Sequence, residues 1–478
     1  MRQDLWGQVI FSVTLFLTVF SPLAYGAVEP WSHKVIGVGI LVIICTGLAQ
    51  WYGQKTASRP RVPFLFCAGL FFCLIFCQLL PLPASWRDFL SPAAARNTVI
   101  PALSPGVRSL AVLYQRATLS IYPTATLIAA LALAACLLFS MAIYACRMEP
   151  WKFKALLATL VSLGTFEAFY GLIEYGTGTQ RIFWLRKTYY LEEVTGTYIN
   201  HNHFAGLMEM ILPVAIGAFI LQFSAVKDRH AESRRLWKIL PGNDFVGLTI
   251  LLASISLMLT ALILSRSRGG LVSFLIALVF MAYLLAKLNM RLPRISQVNL
   301  IFIILLVLVV LGLGREISTR FSYTVRDAPE RFELWVDSMR IVRDFPWLGT
   351  GLGTYREVLV NYRPLKDVNV VAGIPQPARI NYAHNDYLQL LVECGFIGFI
   401  LLIWALVKTG VYLYSGLEVS SDWELQVLGW SLVSGMLALA FHGFVDFNFH
   451  IPANALIFSL YMGLTMKLAR PKEPDRSV

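Results

Sequence analysis

Three polar residues at the start of a long apolar segment carry the strongest chemical signal in this chain. His384, Asn385 and Asp386 directly precede an apolar stretch that begins at Tyr387. A histidine side chain has a pKa of about 6.5, so it can accept a proton at neutral pH. Titratable groups at the mouth of a membrane helix typically mark a catalytic or binding site. What this site acts on depends on the side of the membrane that it faces.

Arginines give the second chemical signal. The segment 264–274, LSRSRGGLVSF, contains two Ser-Arg pairs, and the segment RFELW begins at Arg331. A guanidinium group is planar and can bind two phosphate oxygens at once. These residue types therefore favour a phosphate-bearing ligand.

The elements that must position these groups are membrane helices. The 478 residues are 57% hydrophobic and 14% charged, which excludes a soluble globular protein of this size. A span needs about 20 apolar residues to cross a bilayer core of about 30 Å. Twelve segments qualify: Gln8–Ala27, Lys34–Trp51, Pro63–Leu80, Thr124–Cys146, Ala155–Tyr175, Phe204–Phe223, Phe245–Leu264, Gly270–Ala286, Asn299–Gly314, Asp386–Val407, Leu425–Phe441 and Pro452–Met466.

The charged loops predict the orientation of these spans. Lysines and arginines concentrate in alternate short connections and in the C-terminal tail, which places those connections and both termini in the cytoplasm. The opposite side then holds the loop Gly176–His203, the corner Ser265–Gly269 and the long segment Arg315–Asn385. His384 is therefore expected outside the cytoplasm. The net charge of +12 needs no explanation beyond this topology, so nucleic-acid binding is not expected.

The long external segment has an organisation of its own. Apolar residues recur at helical spacing from Phe332 to Val342, and this pattern predicts an amphipathic helix near the membrane surface that ends before Pro346. The motif GTGLG at 349–353 resembles part of a dinucleotide fingerprint, but it follows a helix rather than a strand and is interpreted as a turn. The chain is predicted to be one membrane domain, 1–478, with one large external loop over 315–385.

Several histidine and cysteine patterns could suggest a metal site. Adjacent residues of His201-Asn202-His203 point apart on a helix, and no third ligand is apparent. His442, Asp446 and His450 are four residues apart, but Pro452 favours a short surface turn in which they hold one another or contact substrate. The seven cysteines lie in or at the ends of apolar spans and are interpreted as buried apolar residues. No metal and no other cofactor is predicted.

Four segments follow one another along the chain: GTYINHNHFAGLMEMILP (196–213), LSRSRGGLVSF (264–274), RFELWVDSMRIVRDFPWLGTGLGTY (331–355) and HNDYLQLLVECGFIG (384–398). Together and in this order they resemble the bacterial O-antigen ligase and polymerase superfamily of lipid-linked oligosaccharide transferases. A fifth segment, FHGFVDFNFHIPANAL (441–456), resembles the end of one branch of that group. The resemblance covers most of residues 196–466.

The resemblance implies an all-α polytopic membrane protein with a GT-C-like fold. It implies transfer of a glycan from an undecaprenyl pyrophosphate carrier to an acceptor hydroxyl, without a metal, on the periplasmic face of a bacterial inner membrane. The acceptor could be a lipid A core, a growing glycan or a protein, so ligase, polymerase and protein glycosylation remain open. A transporter or flippase for the same lipid-linked glycans is the non-enzyme alternative.

The resemblance also implies roles for individual residues. His384 matches the histidine that acts as the base, while Arg331 and Arg268 match pyrophosphate ligands; Arg266 competes with Arg268 because the Ser-Arg pair is duplicated. Asn202, His203, Asn385 and Asp386 are expected to contact substrate. The alternatives are an interfacial His384 satisfied by its two neighbours, arginines that snorkel to the interface, and a solvated helix start at Arg331.

Overall fold

The chain is a multi-pass α-helical membrane protein. The computed structural model describes residues 2–52, 64–94, 117–146, 148–229, 243–287, 331–363, 368–371, 374–377 and 380–470. Nine helices in these ranges are long and apolar enough to cross a membrane. The predicted all-α class is confirmed, and the strands in the described ranges form only two short antiparallel ribbons.

The described residues contain fourteen α-helices. They are α1 Arg2–Leu23, α2 Pro30–Tyr52, α3 Leu65–Leu79, α4 Ala84–Leu90, α5 Pro123–Ala145, α6 Pro150–Thr177, α7 His201–Arg229, α8 Asn243–Leu264, α9 Arg268–Lys287, α10 (331–344), α11 Tyr355–Leu359, α12 Asp386–Glu418, α13 Trp423–His442 and α14 Pro452–Leu468. The ribbons pair β1 Arg181–Ile182 with β2 Leu185–Arg186, and β3 Val368–Val371 with β4 Ile374–Pro377.

Eleven of the twelve predicted spans coincide with a helix, namely α1–α3, α5–α9 and α12–α14. The remaining span, Asn299–Gly314, lies outside the described residues. The agreement follows from the length and apolarity that a bilayer core demands. Several helices extend beyond the predicted ends, most clearly α12, which has 33 residues, whereas α3 is shorter than predicted.

Helices α7 and α13 form the centre of the bundle. In their apolar parts, 83% of the residues of α7 and 72% of those of α13 are buried. Small residues allow their close approach. A side chain at Gly217 would overlap Ser431, and one at Gly435 would overlap the backbone of Met210. Membrane helices pack through small residues of this kind because lipid gives no hydrophobic drive for helix association. These two helices therefore pack closely against each other along their length.

Helix α12 bends at Gly395, where φ is +61° and ψ is −170°. The turn around 346–353 fills the break: Phe396 N–H donates to Pro346 O at 2.7 Å, and Gly351 N–H donates to Glu393 O at 2.9 Å. The Glu393 carboxylate accepts hydrogen bonds from the backbone N–H groups of Gly353 and Tyr355. The GTGLG motif is thus a turn, as predicted, and it ties the external segment to α12.

The predicted external helix exists as α10. Ile341, Val342 and Phe345 pack in a small core with α11 and the start of α12. Phe332 and Met339, which belong to the apolar positions predicted near the membrane surface, are 65% and 51% exposed. The spacing of the apolar residues did not show which of them pack against the protein.

Replacement of Gly395 by Ala should destabilise the protein. The φ/ψ pair at Gly395 is open almost only to glycine, and a Cβ there would overlap the carbonyl group of Trp347. The expected cost is about 1–3 kcal/mol from backbone strain alone. It should lower the apparent melting temperature in detergent. Gly410→Ala in the same helix is the control, because a Cβ at Gly410 meets no atom within 4 Å. Equal melting of the two variants would contradict the assigned bend.

Candidate functional site

The site forms where the ends of α7, α12 and α13 meet at one end of the bundle. The turn 443–451, between α13 and α14, joins them. Asp386 N–H at the start of α12 donates to Gly443 O at 2.8 Å. Asn202 Nδ2 at the start of α7 donates to Asp446 Oδ2 at 2.7 Å. Residues that are far apart in sequence are thereby brought to one turn.

Asp446 is the centre of this cluster. It is only 1% exposed. Besides Asn202, three cationic or titratable side chains face its carboxylate: His203 Nε2 at 3.7 Å, His384 Nδ1 at 3.9 Å and Arg331 Nη2 at 3.9 Å. A buried carboxylate is stable only when positive charge and hydrogen-bond donors compensate for its lost hydration. Asp446 therefore organises the groups that the sequence singled out.

His384 is held in an unusual backbone conformation. Its φ is +49°, in the left-handed region that non-glycine residues rarely adopt. Two side chains hold the backbone of the preceding residue, Ala383. Gln389 Oε1 accepts from Ala383 N–H at 3.1 Å, and Trp335 Nε1 donates to Ala383 O at 3.0 Å. The following residue, Asn385, caps α12 by accepting from two backbone N–H groups. Strain maintained by such contacts is typical of functional sites.

The His384 side chain has no hydrogen bond to the side chain of Asn385 or Asp386, in contrast to the alternative in which these neighbours hold it. Both neighbours use their side chains elsewhere, and the Nδ1 edge of the ring faces Asp446. The side chain is 31% exposed. An imidazole whose Nδ1 faces a carboxylate can carry its proton on that nitrogen and keep Nε2 as the acceptor. His384 could then take a proton from a bound hydroxyl group.

Burial favours the neutral form of His384. Burial lowers its pKa below the ordinary value; Asp446 raises it, while Arg331 and His203 lower it, and the net shift is downward. Burial by itself would raise the pKa of Asp446, but the imidazoles of His203, His442 and His384 outweigh it and hold that pKa well below the usual range. The cluster thus contains an ionised carboxylate beside a neutral base at pH 7.

Arg331 is the first described residue of α10 and lies against the same turn. Its Nη1 donates to Val445 O at 2.8 Å, and the guanidinium is 38% exposed. Because Trp335 lies one helical turn later, α10 carries both an arginine of the cluster and a clamp on the peptide before His384. The interpretation of Arg331 as a merely solvated helix start does not match these contacts.

The corner between α8 and α9 presents the duplicated Ser-Arg pairs. Arg266, with φ of +59°, pairs with Glu192 at 3.3 Å and Glu193 at 3.9 Å. Arg268 is exposed at the first position of α9. A Cβ at the next residue, Gly269, would meet His442 and Val445, so the start of α9 abuts the turn that carries Asp446.

A second polar network supports the cluster from behind. His450 Nδ1 lies 2.7 Å from Asp386 Oδ1, and Asp386 Oδ2 accepts from Phe449 N–H at 3.2 Å. Gln389 Nε2 lies 3.0 Å from His450 Nε2 and donates to Glu393 Oε1 at 3.1 Å. Asp386, expected to contact substrate, is 7% exposed and instead holds the turn 443–451 against α12.

The structure brings together Asn202, His203, Arg331 and His384, and it adds Asp446, Trp335 and Gln389. Of these three, only Asp446 gave a sequence signal, through its spacing from His442 and His450. Trp335 and Gln389 act on a peptide group, and a sequence shows no sign of such contacts. His201 turns away from the cluster, with Nδ1 at 2.6 Å from Ser265 O.

Residues 253–403 match the O-antigen ligase family. This region is therefore an O-antigen ligase domain, and the resemblance noted from the sequence motifs is confirmed. It contains Arg266, Arg268, Arg331 and His384, whereas Asn202, His203 and Asp446 lie outside it. Comparison with curated proteins gives no match. At family level the chemistry is glycosyl transfer of the O-antigen ligase or polymerase type.

The two charges beside His384 should shift its pKa in opposite directions. Asp446 raises this pKa and Arg331 lowers it. We expect Asp446→Asn to move the His384 pKa further down, because the carboxylate no longer stabilises imidazolium, and Arg331→Gln to move it up. Histidine-labelled NMR titration of the protein in nanodiscs measures both shifts. Arg340→Gln on the same helix is the control, and shifts of the same sign in the two test variants would refute the arrangement.

Proposed function

We propose that the protein transfers a glycan from an undecaprenyl pyrophosphate carrier to an acceptor hydroxyl, as one membrane domain. The observation that carries this proposal is the cluster around Asp446, in which a neutral histidine and an arginine share one buried carboxylate. A general base and a pyrophosphate ligand are the two groups that such a transfer needs. The O-antigen ligase match over 253–403 agrees with it.

The reaction forms one glycosidic bond and breaks another. The acceptor oxygen attacks the anomeric carbon, His384 Nε2 takes the hydroxyl proton, and the sugar–phosphate bond breaks with its electron pair passing to the pyrophosphate. Asp446 stabilises the imidazolium that forms. Negative charge grows on the leaving group, so guanidinium groups fixed nearby stabilise the transition state more than the ground state.

Arg331 and Arg268 are the proposed ligands of the pyrophosphate. Arg331 already lies in the cluster, and Arg268 begins the helix that abuts the turn 443–451. Arg266 is the weaker candidate of the duplicated pair, because it is turned towards Glu192 and Glu193. Asn202, which is partly exposed, is the proposed glycan contact. His203 was expected to share this role, but it is 6% exposed and faces Asp446. Asn385 acts as the cap that fixes His384. The mechanism needs no metal.

Sidedness is part of the proposal. The distribution of lysine and arginine supports cytoplasmic termini and a cluster on the periplasmic face of the inner membrane. A lipid-linked glycan that has already crossed the membrane would be available there. The acceptor distinguishes a ligase from a polymerase or a protein glycosyltransferase, and its identity follows from reconstitution with a lipid-pyrophosphate glycan and analysis of what acquires the sugar.

A transporter for the same glycans is the competing function. It would use a charged site, but it would not need a base that takes a proton from an acceptor hydroxyl. His384→Ala should therefore abolish transfer and leave donor binding intact, with a rate loss of about 10²- to 10⁴-fold for a missing general base. The exposed His33 of α2 gives the matched control, His33→Ala. Transfer should continue in the presence of a chelator, and near-normal turnover by His384→Ala would exclude the base assignment.

Lysine in place of each proposed ligand should separate charge from geometry. Arg331→Lys and Arg268→Lys keep the charge but lose the planar pair of donors, so donor binding or transfer should weaken at both positions. Arg340, whose Nη1 pairs with Asp337 at 2.8 Å on α10, should tolerate the same change. Steady-state kinetics against donor concentration measure the effect. Wild-type rates in both test variants would rule out the paired contact, whereas a defect confined to Arg266→Lys would reassign the site to that residue.

A further inference from the structure

The ribbon β1–β2 folds back onto a membrane-spanning helix. The ribbon follows the end of α6 at Thr177 in the chain. It is nevertheless hydrogen-bonded to Tyr170, which lies about two helical turns before that end. The Tyr170 hydroxyl accepts from Phe183 N–H at 2.6 Å and donates to Arg181 O at 3.3 Å. The ribbon therefore lies beside the last turns of α6 and not beyond them.

The surface of α6 at this level faces lipid. Phe169 and Ile173, on either side of Tyr170 in sequence, are 53% and 47% exposed although they belong to a spanning helix. Aromatic rings continue this surface on to the ribbon. Tyr170 contacts Phe183, and Phe183 stacks on Trp184 with 5.8 Å between ring centroids. Trp184 itself is 81% exposed. Amphipathic aromatic side chains of this kind concentrate at membrane–water interfaces.

Two arginines lie directly opposite each other on the ribbon. Arg181 and Arg186 are a cross-strand pair, and both are exposed. Like charges in this position destabilise a ribbon unless an anion lies between them. Two guanidinium groups about 5 Å apart at the Cβ atoms can share one phosphate group.

The neighbouring lysine provides a contrast within the same loop. Lys187 is buried and donates to Glu174 Oε2 at 3.1 Å, so its charge is neutralised by the protein. Neither Arg181 nor Arg186 has an ion pair with another residue of the described ranges. Within residues 178–200, all of which the structure describes, the outward positive charge is thus that of the two arginines.

We infer that the ribbon β1–β2 is a binding site for the phosphate headgroup of a membrane phospholipid. Trp184 and Phe183 insert at the level of the upper acyl chains, and Arg181 and Arg186 hold the phosphate between them. A phospholipid fits better than a glycan because the aromatic surface is continuous with the lipid-facing side of α6. The site is separate from the cluster around Asp446 and does not depend on the proposed transfer reaction.

Covalent capture tests which molecule occupies the ribbon. The chain with benzoylphenylalanine in place of Trp184 is irradiated in nanodiscs of phosphatidylethanolamine and phosphatidylglycerol, and the adduct is identified by mass spectrometry. We expect a phospholipid adduct. The same photoprobe at Glu192, whose side chain is 82% exposed in the same loop, is the control and should give little lipid adduct. An adduct of glycan or protein at position 184, or equal lipid capture at both positions, would overturn the inference.

A second measurement tests the arginine pair. Arg181→Gln with Arg186→Gln should reduce lipid capture at position 184 about thirtyfold, since each of the two basic residues contributes about 1 kcal/mol to anionic lipid binding at a membrane surface. The Lys/Lys double variant should retain part of the capture, and Arg356→Gln, on the exposed side of α11, should retain all of it. Unchanged capture in the Gln/Gln variant would show that phosphate recognition is absent. Melting curves exclude variants that do not fold.

Discussion

A buried carboxylate that must be compensated is the constraint on which the candidate site depends. Asp446 is almost fully removed from solvent, and its charge can persist there only because Asn202 donates to it and cationic or titratable side chains surround it. The compensating groups come from α7, α10 and the residues before α12. Satisfying one charge therefore fixes the relative positions of three elements. It also places a base and a phosphate ligand side by side.

The second constraint is backbone satisfaction at a bend in a membrane helix. Breaking α12 at Gly395 frees carbonyl and N–H groups, which cannot remain unpaired in an apolar environment. The backbone of the turn 346–353 pairs with the freed groups of α12. In return, the Glu393 carboxylate accepts from the backbone N–H of Gly353 in the turn. The external segment is thereby anchored to the bundle. Helix α10 directly precedes this turn in the chain, so the anchor holds α10 in place and brings Arg331 and Trp335 to the site.

These two arrangements meet at His384. Gln389 connects them, because its side chain contacts Glu393 and His450 and also accepts from the Ala383 peptide. The left-handed conformation of His384 is thus determined on one side by the bend in α12 and on the other by the turn that carries Asp446. A histidine fixed in this way loses little freedom when a hydroxyl group binds, which is the advantage of a preorganised base.

The sequence by itself determined the membrane class, the positions of eleven helices along the chain and the candidates His384, Arg331 and Asn202. It could do so because a bilayer imposes length and apolarity on every span, and because few residue types can act as bases or phosphate ligands. The tertiary structure alone decided the centrality of Asp446, the buried face of α10 and the partners of Arg266. Those depend on contacts between segments that are distant in the sequence, 244 residues for Asn202 with Asp446 and 74 for Arg266 with Glu192, and local spacing carries no record of them.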